Sequence, residues 1–205
     1  MVVRPDEVET FERCISVGGV ALFPADTVYG LATEPESREG VYRLYRLKGR
    51  RPERPAAVMF FRTDLALEAL PALPEETRAA VERLLPGGVT LLLPNAAHRF
   101  PLACGPNPEV LGIRVPKLDE SLAALAAMRW PVLQTSANRS GRPEARRLED
   151  VDERLRAEVD LILDGGELPG TPSTVVDLTG YHEDGRFEVR RAGAVAREAI
   201  AEALG

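Results

Sequence analysis

Apolar positions fall into blocks with two different periods. Val8, Phe11 and Ile15 recur at helical spacing within residues 5–17, which predicts an amphipathic helix opened by Pro5 and stopped by Gly18-Gly19. The stretch from Val20 to Leu31 has no such period. An apolar run ends at Pro24, turns through Ala25, Asp26 and Thr27, and resumes at Val28-Tyr29, which predicts two buried strands with a carboxylate and a hydroxyl at the turn. Ser37 can cap a helix running to about Lys48, with Val41, Leu44, Tyr45 and Leu47 on its buried side and Lys48 and Arg50 delivered into the following loop.

Further along, residues 56–61 read as a short strand, and residues 65–85 as two helical pieces divided by Pro71 and Pro74. Strands are expected at 89–93, 110–115, 131–134, 160–163, 173–178 and 187–191. Helices are expected at 119–128, 148–159 and 197–204, and residues 94–109, rich in Pro and Asn, as a long loop. Strands and helices interleave without a regular βαβ repeat, an internal repeat or a dividing linker. The expectation is one α/β domain over residues 1–205 with a twisted, mixed parallel and antiparallel sheet.

Composition sharpens this. The 205 residues are 44% hydrophobic and 28% charged, an ordinary balance for a globular protein, and no run approaches the roughly 18 apolar residues of a membrane span. Cys14 and Cys104 are too few for a disulfide framework, which points to reduced thiols and a cytoplasmic protein. Of 26 basic residues only Lys48 and Lys117 are lysine, and Asn95, Asn107, Asn138 and Gln134 are the only amides, so each of these scarce types stands out. The formal charge is −6, yet residues 42–62 carry Arg43, Arg46, Lys48, Arg50, Arg51, Arg54 and Arg62 against Glu53 alone. A basic segment in an acidic chain suits a phosphate chain or a nucleic acid, unless its arginines only pair with acidic neighbours.

Phosphate-loop and dinucleotide glycine signatures are missing, and two isolated histidines, His98 and His182, make a zinc site or a serine–histidine nucleophile improbable. What remains are polar loops at strand ends. Lys48-x-Arg50 combines a point charge with a planar fork, suited to a phosphate chain. Ser136-Ala137-Asn138 with Ser140-Gly141 offers hydroxyls, an amide and free N–H groups. Ser173-Thr174 precedes one strand, and Arg191-Ala192-Gly193-Ala194 follows the last. Each alone reads as a turn or cap; together they suggest a site.

These motifs, with Pro24 to Leu31, Pro86-Gly87-x-x-Thr90 and Gly112-x-Arg114-x-Pro116, occur in the order typical of the YrdC/TsaC family, which the chain resembles over about residues 5–195. The resemblance implies a twisted α/β sheet around a concave, positively charged cavity. It implies that Lys48 and Arg50 contact ATP phosphates as the catalytic pair, that Ser136 and Asn138 line the nucleotide pocket, and that Ser173 and Arg191 close it. Arg114 would face the carboxylate of L-threonine, with Asp26 and Thr27 near it as further threonine-binding residues. The activity so implied joins L-threonine, bicarbonate and ATP into threonylcarbamoyl-AMP and pyrophosphate for tRNA adenosine-37 modification, with Mg2+ bridging phosphates and threonylcarbamoyl transferase proteins downstream. No protein-held metal and no membrane partner are expected. Ala25 stands where the family has threonine, Arg51 where it has proline, Ala56 where it has a larger aliphatic, Gly88 where it has proline, and Glu144 where serine is common. A non-catalytic relative binding double-stranded RNA or tRNA through Arg43, Arg46, Arg51 and Arg54 is the rival reading.

Overall fold

The computed structural model describes residues 1–51, 53–139 and 141–205. Strands β1 (Ala21–Pro24) and β2 (Tyr29–Thr33) pair antiparallel about the turn 25–28, with Phe23 opposite Gly30. Seven more strands join them: β3 (Ala57–Met59), β4 (Val89–Pro94), β5 (Val110–Arg114), β6 (Val132–Ser136), β7 (Leu161–Ile162), β8 (Thr174–Asp177) and β9 (Glu188–Arg191). Among the described residues they form one sheet of nine strands in the order β7-β1-β2-β6-β3-β5-β4-β8-β9. The pairs β1–β7, β3–β5 and β4–β8 are parallel and the other five antiparallel, so the expected mixed sheet is present.

The helices are α1 (Pro5–Ser16), α2 (Arg38–Lys48), α3 (Thr63–Ala69), α4 (Glu75–Leu84), α5 (Pro101–Cys104), α6 (Glu153–Glu158), α7 (Tyr181–Asp184) and α8 (Arg197–Leu204). In α1 the spacing of Val8, Phe11 and Ile15 buries one face, as expected. Phe11 stacks on Phe23 of β1 with centroids 5.3 Å apart, and Phe61 meets both rings edge-on. Burying each of these rings contributes about 2–3 kcal/mol, which fixes the helix against the hairpin. In α2 the Ser37 hydroxyl accepts the Gly40 N–H at 3.1 Å, the predicted cap.

Three segments differ from expectation. Residues 119–128 hold only a 3₁₀ segment, Ala123–Ala127. The Asp119 carboxylate takes the N–H groups of Ser121 and Leu122, closing a turn where a helix would have begun. Residues 94–109 are not all loop, since Pro101 starts the short α5. Buried Asn95 ties that stretch together, its amide donating to the carbonyls of Arg99 and Pro108 at 3.0 and 2.9 Å. The helix expected over 148–159 is divided into a 3₁₀ turn, Leu148–Asp150, and α6, because the Asp152 side chain accepts the Arg154 N–H and caps a new start at Glu153. No helix is long and apolar enough to cross a membrane among the described residues.

Candidate nucleotide and substrate site

The C-terminus of α2 sets the first group. Gly49 takes the left-handed conformation (φ 62°), and the Arg50 N–H reaches back to the Tyr45 carbonyl at 2.9 Å. This closing turn ends the helix at once and sends Arg50 off beside Lys48. Lys48 is 4% exposed, an unusual burial for lysine. Its ammonium donates to the Ser136 carbonyl, to Ser136 Oγ at 3.1 Å and to Asn138 Oδ1 at 2.8 Å. Ser136 Oγ in turn donates to Asn138 Oδ1 at 2.7 Å. The lysine singled out in the sequence, and the serine and asparagine 88 and 90 positions after it, thus form one network. Burial pushes the Lys48 ammonium down to about 8; Glu144 opposes that shift and Arg50 adds to it.

Arg50 is half-buried, and desolvation lowers its pKa. It donates to the Pro55 carbonyl, lies 3.5 Å from Thr135 Oγ1, and has its Cζ 5.8 Å from the centre of the Tyr45 ring. Its buried Nε has no partner among the described residues.

Arg114 ends β5 and is paired with Asp26 from the β1–β2 turn, with side chains 3% and 6% exposed. Arg114 also donates to Thr27 Oγ1 at 2.5 Å, and the second Asp26 oxygen takes the Lys117 N–H at 3.0 Å. Asp26 and Thr27 therefore stand behind Arg114 and hold its guanidinium. The resemblance assigns both to threonine binding, and here their side chains engage Arg114. The buried Nε of Arg114 is left without a partner among the described residues.

The third group joins β4, β8 and β9. Ser173, 3% exposed, shares a 2.8 Å hydroxyl–hydroxyl bond with Thr90, and Arg191 donates to the Ser173 carbonyl at 2.7 Å. Gly193 is needed here: a Cβ would lie 2.3 Å from the Pro172 carbonyl oxygen.

All three groups meet at one cavity of about 750 Å³, a size that holds a small-molecule ligand. Arg50, Arg114, Ser136, Ser173 and Arg191 line it, while Lys48 and Asn138 back Ser136. Ser140, from the same loop, lies outside the described residues. The lining is not simply basic: Arg50, Arg114, Arg190 and Arg191 share it with Glu53, Glu144 and Asp177. Asp177 is held by Thr179 and Arg190, which keep its carboxyl below the usual range against the opposing effect of burial. Of the basic segment, Arg43 pairs with Asp160 at 2.5 Å and Arg62 with Asp64, leaving Arg46, Arg51 and Arg54 exposed.

Sequence reasoning assigned no role to Thr90, Gln134 or Thr135, which line the cavity beside Glu144, already noted as a departure from the family's serine. Gln134 carried a signal as the only glutamine, and Thr90 stood in a quoted motif; Thr135 carried none of its own. Among the described residues no three His, Cys, Asp or Glu side chains gather as a metal site.

Comparison with known proteins gives a consistent picture. A Sua5/YciO/YrdC family model, described by the phrase "Telomere recombination", matches residues 13–193. A threonylcarbamoyl-AMP synthase of Stenotrophomonas maltophilia is 37% identical over 74% of this chain and 82% of its own length. One of Pyrococcus abyssi is 29% identical over 93% of this chain and 55% of its own, so the chain spans about half of that relative. The P. abyssi Sua5 structure in complex with L-threonine superposes with a TM-score of 0.83 at 27% identity, over 100% of this chain and 59% of that one.

Proposed function

The chain belongs to the Sua5/YciO/YrdC family, and on that premise we propose that it is a threonylcarbamoyl-AMP synthase. Its substrates are L-threonine, bicarbonate and ATP; its products are pyrophosphate, water and threonylcarbamoyl-AMP, whose threonylcarbamoyl group is destined for tRNA adenosine-37. The observation that carries this reading is the convergence of Lys48, Arg50, Arg114, Ser136, Asn138, Ser173 and Arg191 on or directly behind one cavity. The threonine complex of the P. abyssi relative supports the choice of amino acid.

Threonine carbamate presents an oxygen to the α-phosphate; a P–O bond forms there, and the bond to the β-phosphate breaks as pyrophosphate leaves. Such a step needs alignment and charge neutralisation more than a covalent nucleophile. Arg50 meets the phosphates at one wall, with the Lys48 charge held behind Ser136 to help neutralise them, and Ser173 and Arg191 hold the nucleotide at the other. Arg114, already half-satisfied by Asp26, offers its remaining N–H groups to the threonine carboxylate. Mg2+ would arrive with the ATP phosphates and supply further neutralisation of their charge. One domain of residues 1–205 carries the reaction, in the cytoplasm, where the free thiols Cys14 and Cys104 are at home. The labile product passes to threonylcarbamoyl transferase proteins acting on tRNA.

Pyrophosphate release from ATP, measured with and without threonine and bicarbonate, tests the assignment. Turnover that depends on all three supports it; absent or threonine-independent turnover removes it. A second reading, a non-catalytic binder of double-stranded RNA or tRNA, is favoured by the exposure of Arg46, Arg51 and Arg54. Steeply salt-dependent RNA binding in a protein without turnover would establish it in place of the first.

A further inference from the structure

Three carboxylates line the cavity, and they differ in what already holds them. Asp177 accepts from Arg190 and Thr179, and Glu53 is exposed at the mouth. Glu144 has its Oε2 buried with no partner among the described residues. The segment that carries it is pinned. The Ala145 carbonyl accepts the Tyr29 N–H at 3.0 Å, and the Arg146 backbone bonds Leu168 and Asp150.

A buried carboxylate oxygen without a donor is costly, and a bound ligand is the natural source of one. Phosphate oxygens cannot serve, since they are themselves anionic acceptors. The same cavity holds the opposite deficit in Arg114, whose Nε is a buried donor without an acceptor. A zwitterion satisfies both, giving its carboxylate to the guanidinium and its ammonium to the glutamate. Resting on the synthase reading above, we propose that Glu144 is the residue that receives the ammonium of the amino-acid substrate and so selects amino acids over their deaminated analogues. Glu144 is also close enough to Lys48 and Arg191 to favour both of their charges. An amine held by Glu144 would therefore lie in the same cavity as the Arg50 and Arg191 guanidiniums, where its carbamate is to meet the α-phosphate.

The test is calorimetric titration of L-threonine and of 3-hydroxybutyrate, which is threonine without its amino group, into ATP-loaded protein lacking bicarbonate. The wild-type chain is expected to prefer threonine by about 10- to 100-fold, the range of a hydrogen bond to a charged group. Glu144→Gln should lose most of that preference, while ATP, now facing one negative charge fewer, binds at least as tightly as to the wild type. Glu144→Asp, which keeps the charge one methylene short, should recover part of it and serves in place of Glu144→Gln if that variant does not fold. Threonine binding by the wild type with an undiminished preference in Glu144→Gln overturns this inference alone. A wild-type chain that binds no threonine overturns the synthase reading and this inference with it.

Discussion

Replacing Lys48 by Met should abolish turnover without weakening the fold at neutral pH. Lys48 is 4% exposed and its pKa falls from 10.5 to about 8, so the unfolded chain binds this proton more tightly than the folded one. The resulting penalty, about 3 kcal/mol, is fully present below about pH 8 and is relieved as pH rises from there toward the ordinary lysine value. Met removes it at every pH. Against that gain, the Ser136 carbonyl loses its charged donor, at a cost of about 1–3 kcal/mol, while the Ser136–Asn138 bond survives. Near pH 7 the variant should therefore be at least as stable as the wild type. Between about pH 7 and 9.5 the wild type should regain about 2 kcal/mol relative to it. Urea unfolding of both proteins at the two pH values reads this difference, and pyrophosphate release should drop by at least about 100-fold. A stability gap that does not move with pH, or a variant several kcal/mol less stable near pH 7, would refute the reasoning.

Two other substitutions probe the remaining walls. Arg114→Met leaves the Asp26 carboxylate buried and unpaired, and thermal unfolding should report a loss of about 3–5 kcal/mol, most of it recovered when Asp26→Asn is added. Gly193→Ala would set a Cβ 2.6 Å from the Ser173 carbonyl carbon, so the strand start must shift; ATP affinity should fall, with at least about 1 kcal/mol of stability lost. Unchanged ATP binding in that variant would detach the Ser173–Arg191 wall from the nucleotide.

Much of the architecture was legible because local signals agreed with one another. The Val8–Phe11–Ile15 stripe, the Ser37 cap and the closing helix Arg197–Leu204 appear where their spacing put them. Expectation failed where a side chain competed with the backbone, as Asp119 does at residues 121 and 122. Within the site, rarity was a useful but uneven guide. Lys48 and Asn138 do sit in the network, yet Asn95 staples a loop, and Lys117 is exposed and gives Asp26 only its backbone N–H. That Asp26 and Thr27 would brace Arg114 could not be read from the chain, because their pairing depends on the register of β5 across the sheet. The basic segment misled in part, since charge density along a sequence does not say which arginines a neighbouring carboxylate already occupies.

The bonds that build the cavity join residues far apart along the chain: Lys48 to Ser136 and Arg114 to Asp26 at separations of 88, Thr90 to Ser173 at 83. No short fragment holds even half a pocket, and the last wall is missing until residue 191 has been synthesised and docked. Loops this long must be closed before their contacts return anything, so maturation of the pocket belongs to the slowest stage of folding. A nascent chain would acquire helices early and ligand affinity only at the end, which makes nucleotide a reporter of completed folding and a poor template for it.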